Sequence, residues 1–179
     1  MDYGLVLFTS DRGISPAIAA KAAEDGGFST FYVPEHTHIP VKREAAHPGT
    51  GGAELPDDRY MRTLDPWVSL GAACAVTSKI RLATAVAIPV EHDPITLAKS
   101  IATLDHMSGG RVTVGVGYGW NTDELADHHV PAGAAAPCCA STSKRCASSG
   151  KTKKQATRAN LSTSGPAGPG PRRCKSTCR

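Results

Sequence analysis

Three helix starts in this chain carry the same two-residue signature. Ser15–Pro16, Asp65–Pro66 and Asp93–Pro94 each set a capping residue before a proline. Proline is favoured at the first helical position, where its missing N–H is one the helix could not have bonded anyway. Short apolar runs alternate with these starts: Gly4–Ser10, Thr30–Val33 and Ile80–Val90. A fourth run, Arg111–Gly117, leads to Asn121 and Glu124, whose N-x-x-E spacing predicts a capping box for a helix starting at Thr122. Gly26–Gly27 and Gly109–Gly110 close the first and third helices. The order is β-α four times over.

The runs are apolar throughout, which predicts strands covered on both faces and a parallel sheet built from right-handed βαβ units. Two architectures fit, a doubly wound sheet and a (β/α)8 barrel. A dinucleotide-binding sheet needs G-x-G-x-x-G directly after the first strand. Here that turn reads TSDRGIS, and GVGYG after the fourth strand lacks the third glycine. Four units in about 130 residues make half of a barrel of about 250. A polar loop over 34–63 holds His36, His38 and His47, and loops of that length are functional or disordered.

Composition divides the chain near residue 130. All 16 acidic and all 7 histidine residues lie before residue 131. The last 49 residues hold half of the 20 Lys and Arg, five of the six Cys, one Leu and no Val, Ile, Met, Phe, Trp or Tyr. A segment so poor in apolar side chains cannot offset its chain entropy. The organisation expected is therefore a folded domain over 1–130 and a disordered, basic, Cys-rich tail over 131–179. No apolar run reaches the length of a membrane helix, and the first residues lack the basic start of a secretory signal, so a cytoplasmic protein without membrane contact is expected.

The segments LVLFTSDRGISP, YVPEHTHIP, RTLDPW, IRLATAVAIPVEHDPITLAKSIATLDHMSGGRVTVGVGYGWN and the following DEL resemble the bacterial-luciferase-like flavin and deazaflavin oxidoreductases. Within them, the resemblance points to those using coenzyme F420. It runs over residues 1 to about 130 and implies the first half of a (β/α)8 barrel, with the cofactor at the C-terminal strand ends. It implies hydride transfer between reduced deazaflavin and a small organic substrate, with FMN as the alternative cofactor and a homodimer at full length. His36 would give or take the proton, a task that suits an imidazole; the plain alternative is a hydrogen-bonded loop histidine. Glu35, a cis peptide at Ala85–Val86, and Gly117, Tyr118 and Gly119 would meet the cofactor. His38 and Arg12 would meet substrate, and no metal is implied. Some relatives carry an acid just after the fourth strand, where this chain has Trp120. Cys74 and the other histidines read as structural.

Three readings of 131–179 compete: a basic tail binding nucleic acid, which with a non-catalytic half-barrel forms the alternative from another class; a cysteine metal site; and a shifted reading frame. Cys138–Cys139 and Cys174–Cys178 lack paired zinc-ribbon spacing. If the codons begin one base earlier, Cys138–Cys139 must become Leu, Cys174–Lys175 must become Gln or a stop, and 133–150 permits apolar residues at helical spacing. The shifted frame is the reading adopted. Four strands of eight leave the first and last as open edges, so the chain as written is expected to be inactive and poorly stable. A cooperative melt together with tight deazaflavin binding by the purified chain would overturn that expectation.

Overall fold

The cap-and-proline signatures start helices where the sequence places them. In a computed structural model of the chain, which describes residues 2–131 and 133–149, α1 covers Pro16–Asp25, α2 Pro66–Val76, α3 Pro94–Ser108 and α4 Thr122–Asp127. Asp65 Oδ1 accepts the Val68 N–H at 2.8 Å, and Asp93 Oδ1 accepts those of Ile95 and Thr96 at 3.1 and 2.8 Å. A first helical turn has no internal partner for these donors. Ser15 makes no such bond, so α1 starts on proline alone.

Strands β1 (Gly4–Val6), β2 (Thr30–Val33), β3 (Arg81–Ala87) and β4 (Val112–Val116) form one parallel sheet in the order β1-β2-β3-β4. A doubly wound sheet reverses its strand order at a switch point; this one does not. The chain is therefore an arc of four βα units, the first half of a (β/α)8 barrel. Three strands are shorter than their apolar runs, β4 by one residue at each end and β1 and β3 by more. After Val6 the chain leaves the sheet, and Ser10 bridges antiparallel to Thr63. After Ala87, Ile88 donates its N–H to the Glu35 carboxylate, and Pro89 has none to donate. The backbone then turns through a 3-10 turn at Pro89–Glu91.

The strands are also covered differently from the expectation. Phe31, Val33, Leu82, Val112 and Val114 pack under Ala20, Leu70, Ala73 and Leu104 of the helices, with Cys74 in the same core. The other face is open at its edges: Val6 is exposed, and the exposed Arg81 donates to Thr113 Oγ1 at 2.7 Å. In a closed barrel that face lines the interior.

Helix α5 covers Ala135–Ser149, within the stretch for which disorder is expected from composition. It lies on α3 and on the turn at Pro89–Glu91. Cys138 and Cys139 are buried, and the Cys139 thiol donates to the Gly117 carbonyl at 3.1 Å. Composition summed over 49 residues hid this stretch, whose small Ala and Cys side chains seat a helix without large apolar groups. Residues 150–179, with Cys174 and Cys178, lie outside the described residues.

One carboxylate fixes the entry to β3. Glu24, at the end of α1, accepts the N–H groups of Ser78, Lys79 and Ile80 at 3.0, 2.6 and 2.9 Å. The hydrogen bonds from Ile80 and Lys79 lower its pKa to about 2. Its folded pKa lies below the ordinary 4.5, so its stabilisation is present above pH 4.5 and is lost as pH falls towards 2. We expect Glu24→Gln to cost about 1–2 kcal/mol at neutral pH, the low end because solvent screens the site. It should also flatten the acid limb of the urea midpoint. An unchanged acid limb would show that another carboxylate governs it.

Candidate active site

The C-terminal ends of the strands gather an unusual number of buried ionisable groups. Glu35 and His36 follow β2 directly, as β2 ends at Val33 and Pro34 carries no N–H for a further ladder bond. Val33 pairs with Thr84, so this register brings Glu35–His36 beside Ala85–Val86, whose peptide bond is cis. Gly117, Tyr118 and Gly119 follow β4 at the same end. A Cβ on Gly117 would lie 2.6 Å from Val86 Cγ2, so the close approach of β3 and β4 itself requires glycine there. Gly119 has a φ of +77°. Val86 and Tyr118 are 37% and 47% exposed, an apolar surface at the strand ends.

His36 is held from one side. Its Nδ1 lies 2.8 Å from Glu124 Oε2 on α4, and the two side chains are 6% and 1% exposed. Glu124 Oε1 accepts the Thr37 N–H at 2.8 Å, the Thr37 hydroxyl at 3.2 Å and the His38 N–H at 3.3 Å. Burial opposes charge on Glu124, but the His36 imidazole and these N–H donors prevail and hold its pKa below the usual range. An ionised Glu124 needs a proton on His36 Nδ1, which leaves Nε2 as the nitrogen available to a reacting group. Among the described residues no hydrogen bond is made to Nε2. The rings of Tyr60 and Trp120 flank the imidazole, each centroid 5.7 Å away.

The capping box expected at Asn121–Glu124 forms only in half. Asn121 Oδ1 accepts the Glu124 N–H at 3.5 Å, but the Glu124 side chain turns inward to His36 instead of back to the helix start.

Glu35 is engaged within the protein. It accepts the Ile88 N–H and lies 2.8 Å from His92 Nε2. Burial lowers the His92 pKa, but the Glu35 hydrogen bond and charge outweigh it and raise it above the usual imidazole value. Of two other expected site residues, His38 borders this cluster, its Nδ1 3.2 Å from the Thr37 hydroxyl, and Arg12 lies away from it. His38 Nε2 is 2.8 Å from the exposed Asp127, and Arg12 pairs with Asp58 on the surface at 3.1 Å.

The loop over 34–63 is folded across the strand ends. Asp123 of α4 accepts the N–H groups of Glu44 and Ala45, each at 2.9 Å. His47 is buried: its Nδ1 accepts the Gly49 N–H at 3.0 Å, so Nε2 carries the proton donated to Tyr60 Oη, also at 3.0 Å. Its ring meets Trp120 edge-on at 4.9 Å.

The family model described as luciferase-like monooxygenase matches residues 17–137. The chain belongs to the luciferase-like monooxygenase family. An uncharacterised protein of Mycobacterium tuberculosis is 84% identical over 133 residues, which are 74% of this chain and 47% of that one. The chain thus spans about half the length of the curated relatives it matches. The F420-dependent glucose-6-phosphate dehydrogenase of Nakamurella multipartita is 34% identical over 107 residues, 59% of this chain and 27% of the relative. Among solved structures, the oxygenating constituent of 3,6-diketocamphane monooxygenase from Pseudomonas putida, in complex with FMN, superposes with a TM-score of 0.63. It is 18% identical and the match covers 82% of this chain and 38% of that one, a likeness of fold. The luciferase-like family thus includes F420-dependent oxidoreductases. No helix among the described residues is long and apolar enough to cross a membrane.

Sequence reasoning missed three members of this candidate site. Glu124 was hidden by its capping spacing and His47 by its loop. Glu91 gave no signal, because it follows a run that reads as strand. Its carboxylate is buried without a hydrogen-bond partner. Burial, then the charges of Glu124 and Glu35, raise its pKa to about 9; Thr37 and Glu124 lie near it and exert smaller opposite effects. A carboxyl raised from 4.5 towards 9 binds a proton in the folded state that the unfolded chain has released. Its contribution to stability is full below pH 4.5 and is lost as pH rises towards 9. We expect Glu91→Gln, a neutral isostere, to leave the melting temperature near pH 4.5 unchanged. The variant should hold a higher melting temperature than the parent near pH 9. Parallel melting curves at the two ends would show Glu91 to be ionised throughout.

Proposed function

We propose that this chain carries the cofactor-facing half of an oxidoreductase that passes a hydride between coenzyme F420 and a small organic substrate. The observation that carries the reading is His36: buried at the end of β2, fixed through Nδ1 by an ionised carboxylate, and free at Nε2. A general acid or base needs this combination of fixed ring and one available nitrogen. The 34% identity to an F420-dependent dehydrogenase supports the cofactor class.

The residues present fit a flat ring. Val86 and Tyr118 offer it apolar surface, the Gly117–Gly119 segment carries little side chain beside them, and His36 stands at the neighbouring strand end. A bound deazaflavin supplies a ring carbon that accepts or releases hydride. His36 Nε2 takes the hydroxyl proton when substrate is oxidised, or returns one when it is reduced. Glu124 keeps the imidazole in one tautomer, and Tyr60, Trp120 and His47 shield it from water. Glu35 acts as a tether that sets the turn after β3. His38 is the substrate contact proposed beside this cluster; Arg12, paired with Asp58 on the surface, would meet only a substrate that extends to the first βα loop.

We further propose that residues after about 130 are written out of frame. The 84% identity extends over only 133 residues, and the shifted frame yields the forced Leu at Cys138–Cys139. Sequencing the gene across codon 130 decides this, and an intact frame would refute it.

Fluorescence titration with F420 and FMN in parallel tests the cofactor on a protein restored to the length of its relatives. We expect F420 binding, and a turnover lowered about 10²–10⁴-fold in His36→Asn with binding retained. Binding of FMN alone would assign a flavin monooxygenase instead. Binding of neither, with salt-sensitive nucleic-acid binding by the chain as written that is lost without residues 131–179, would replace the enzyme reading altogether.

A further inference from the structure

A continuous line of hydrogen bonds leads from the buried His36 to the protein surface. His36 Nδ1 meets Glu124 Oε2 at 2.8 Å. Glu124 Oε1 meets the Thr37 hydroxyl at 3.2 Å. The same hydroxyl lies 2.7 Å from His128 Nε2. His128 is half-buried, so this line begins at a side chain 6% exposed and ends at one that water reaches. Each group along it both accepts and releases a proton, and two of the three contacts are at or below 2.8 Å.

We infer that Glu124, Thr37 and His128 form the path by which protons travel between His36 and solvent. The inference rests on the role proposed for His36. In the oxidative direction the hydroxyl proton of substrate goes to His36 Nε2 while its hydride goes to the deazaflavin. The imidazolium then releases its Nδ1 proton to Glu124 Oε2. A half-turn of that carboxyl brings the proton to Thr37 Oγ1, and the Thr37 hydroxyl proton passes to His128 Nε2. One proton enters at Nε2 of His36 and one leaves at His128; no electron moves along the line. Glu124 finishes ionised as it began; His36 finishes as its Nε2–H tautomer and returns to the Nδ1–H form by exchange with water once product has left.

The surroundings suit a path more than a static anchor. The Thr37 and His38 N–H groups already secure Glu124 Oε1, at 2.8 and 3.3 Å, so holding the loop does not require the hydroxyl. Burial and the neighbouring His38, whose ring centroid is 5.7 Å from that of His128, keep the His128 pKa below the usual value. His128 is therefore neutral near neutral pH; with the Thr37 hydroxyl proton on Glu124 its Nε2 donates to Thr37 Oγ1, and it accepts a proton there as the Nδ1–H tautomer. The charged and titratable groups around the line are Glu91 and Glu35 beside Glu124, and His38, Asp127 and His92 towards His128.

The test reads the path directly, without turnover. In the imidazole-¹⁵N-labelled chain, the solvent exchange rate of the His36 Nδ1 proton is measured by NMR in the parent, Thr37→Val, Thr37→Ser and His128→Leu. We expect Thr37→Val and His128→Leu to slow exchange by about tenfold or more, and Thr37→Ser to restore it. Loss of stability would speed exchange, so slowing cannot come from partial unfolding. The ¹⁵N shifts report whether the Nδ1–H tautomer persists. Exchange unchanged or faster in Thr37→Val and His128→Leu, with that tautomer kept, would overturn the path. Failure of the protein to bind F420 would remove the proposed enzyme role without altering these rates, so the two readings fail separately.

Discussion

A buried, ionised carboxylate is the constraint on which the site depends. Glu124 is 1% exposed, and taking such a group out of water is costly unless each oxygen finds donors. The donors come from one place, the His36–His38 segment after β2. One side chain on α4 thereby fixes the position of the β2 end, the tautomer of His36 and the course of the chain into the long loop. Losing Glu124 would release the loop and the imidazole together.

Two further carboxyls share the neighbourhood, and their environments push them apart. Glu35 has a backbone N–H and His92 as partners. Glu91 has no partner and is held neutral near neutral pH. Placing three ionised carboxylates in one poorly solvated volume would be prohibitive. Neutralising Glu91 resolves that conflict, and the N–H donors and histidines offset the other two. The acid that some relatives set just after the fourth strand is Trp120 here. The carboxyls of this site arrive instead from α4 and from the turn after β3, and Trp120 packs against the imidazole they position.

Much of the fold was legible because its signals are local. A capping residue before a proline, a glycine pair after a helix and an apolar run all act within a few residues. With the Asn121 cap they placed the starts of α1 to α4, and the resemblance placed His36 at a strand end. The part of the site that was not legible is long-range. Glu124 meets His36 across 88 positions of chain, and its spacing to Asn121 carried an adequate local explanation. The helix over Ala135–Ser149 was missed for the opposite reason: composition averaged over a long segment masked one stretch that packs.

The sequence alone determined that this chain alternates strand and helix, where α1 to α4 begin, and that its large apolar side chains all but end near residue 130, because these follow from backbone chemistry and solvation of adjacent residues. It left open whether the sheet reverses or proceeds in order, which face of each strand is covered, and which carboxyls carry charge. Only the tertiary structure decided those points. Strand order and pKa depend on what lies beside a residue in space, and for Glu91 and Glu124 those neighbours come from distant parts of the chain.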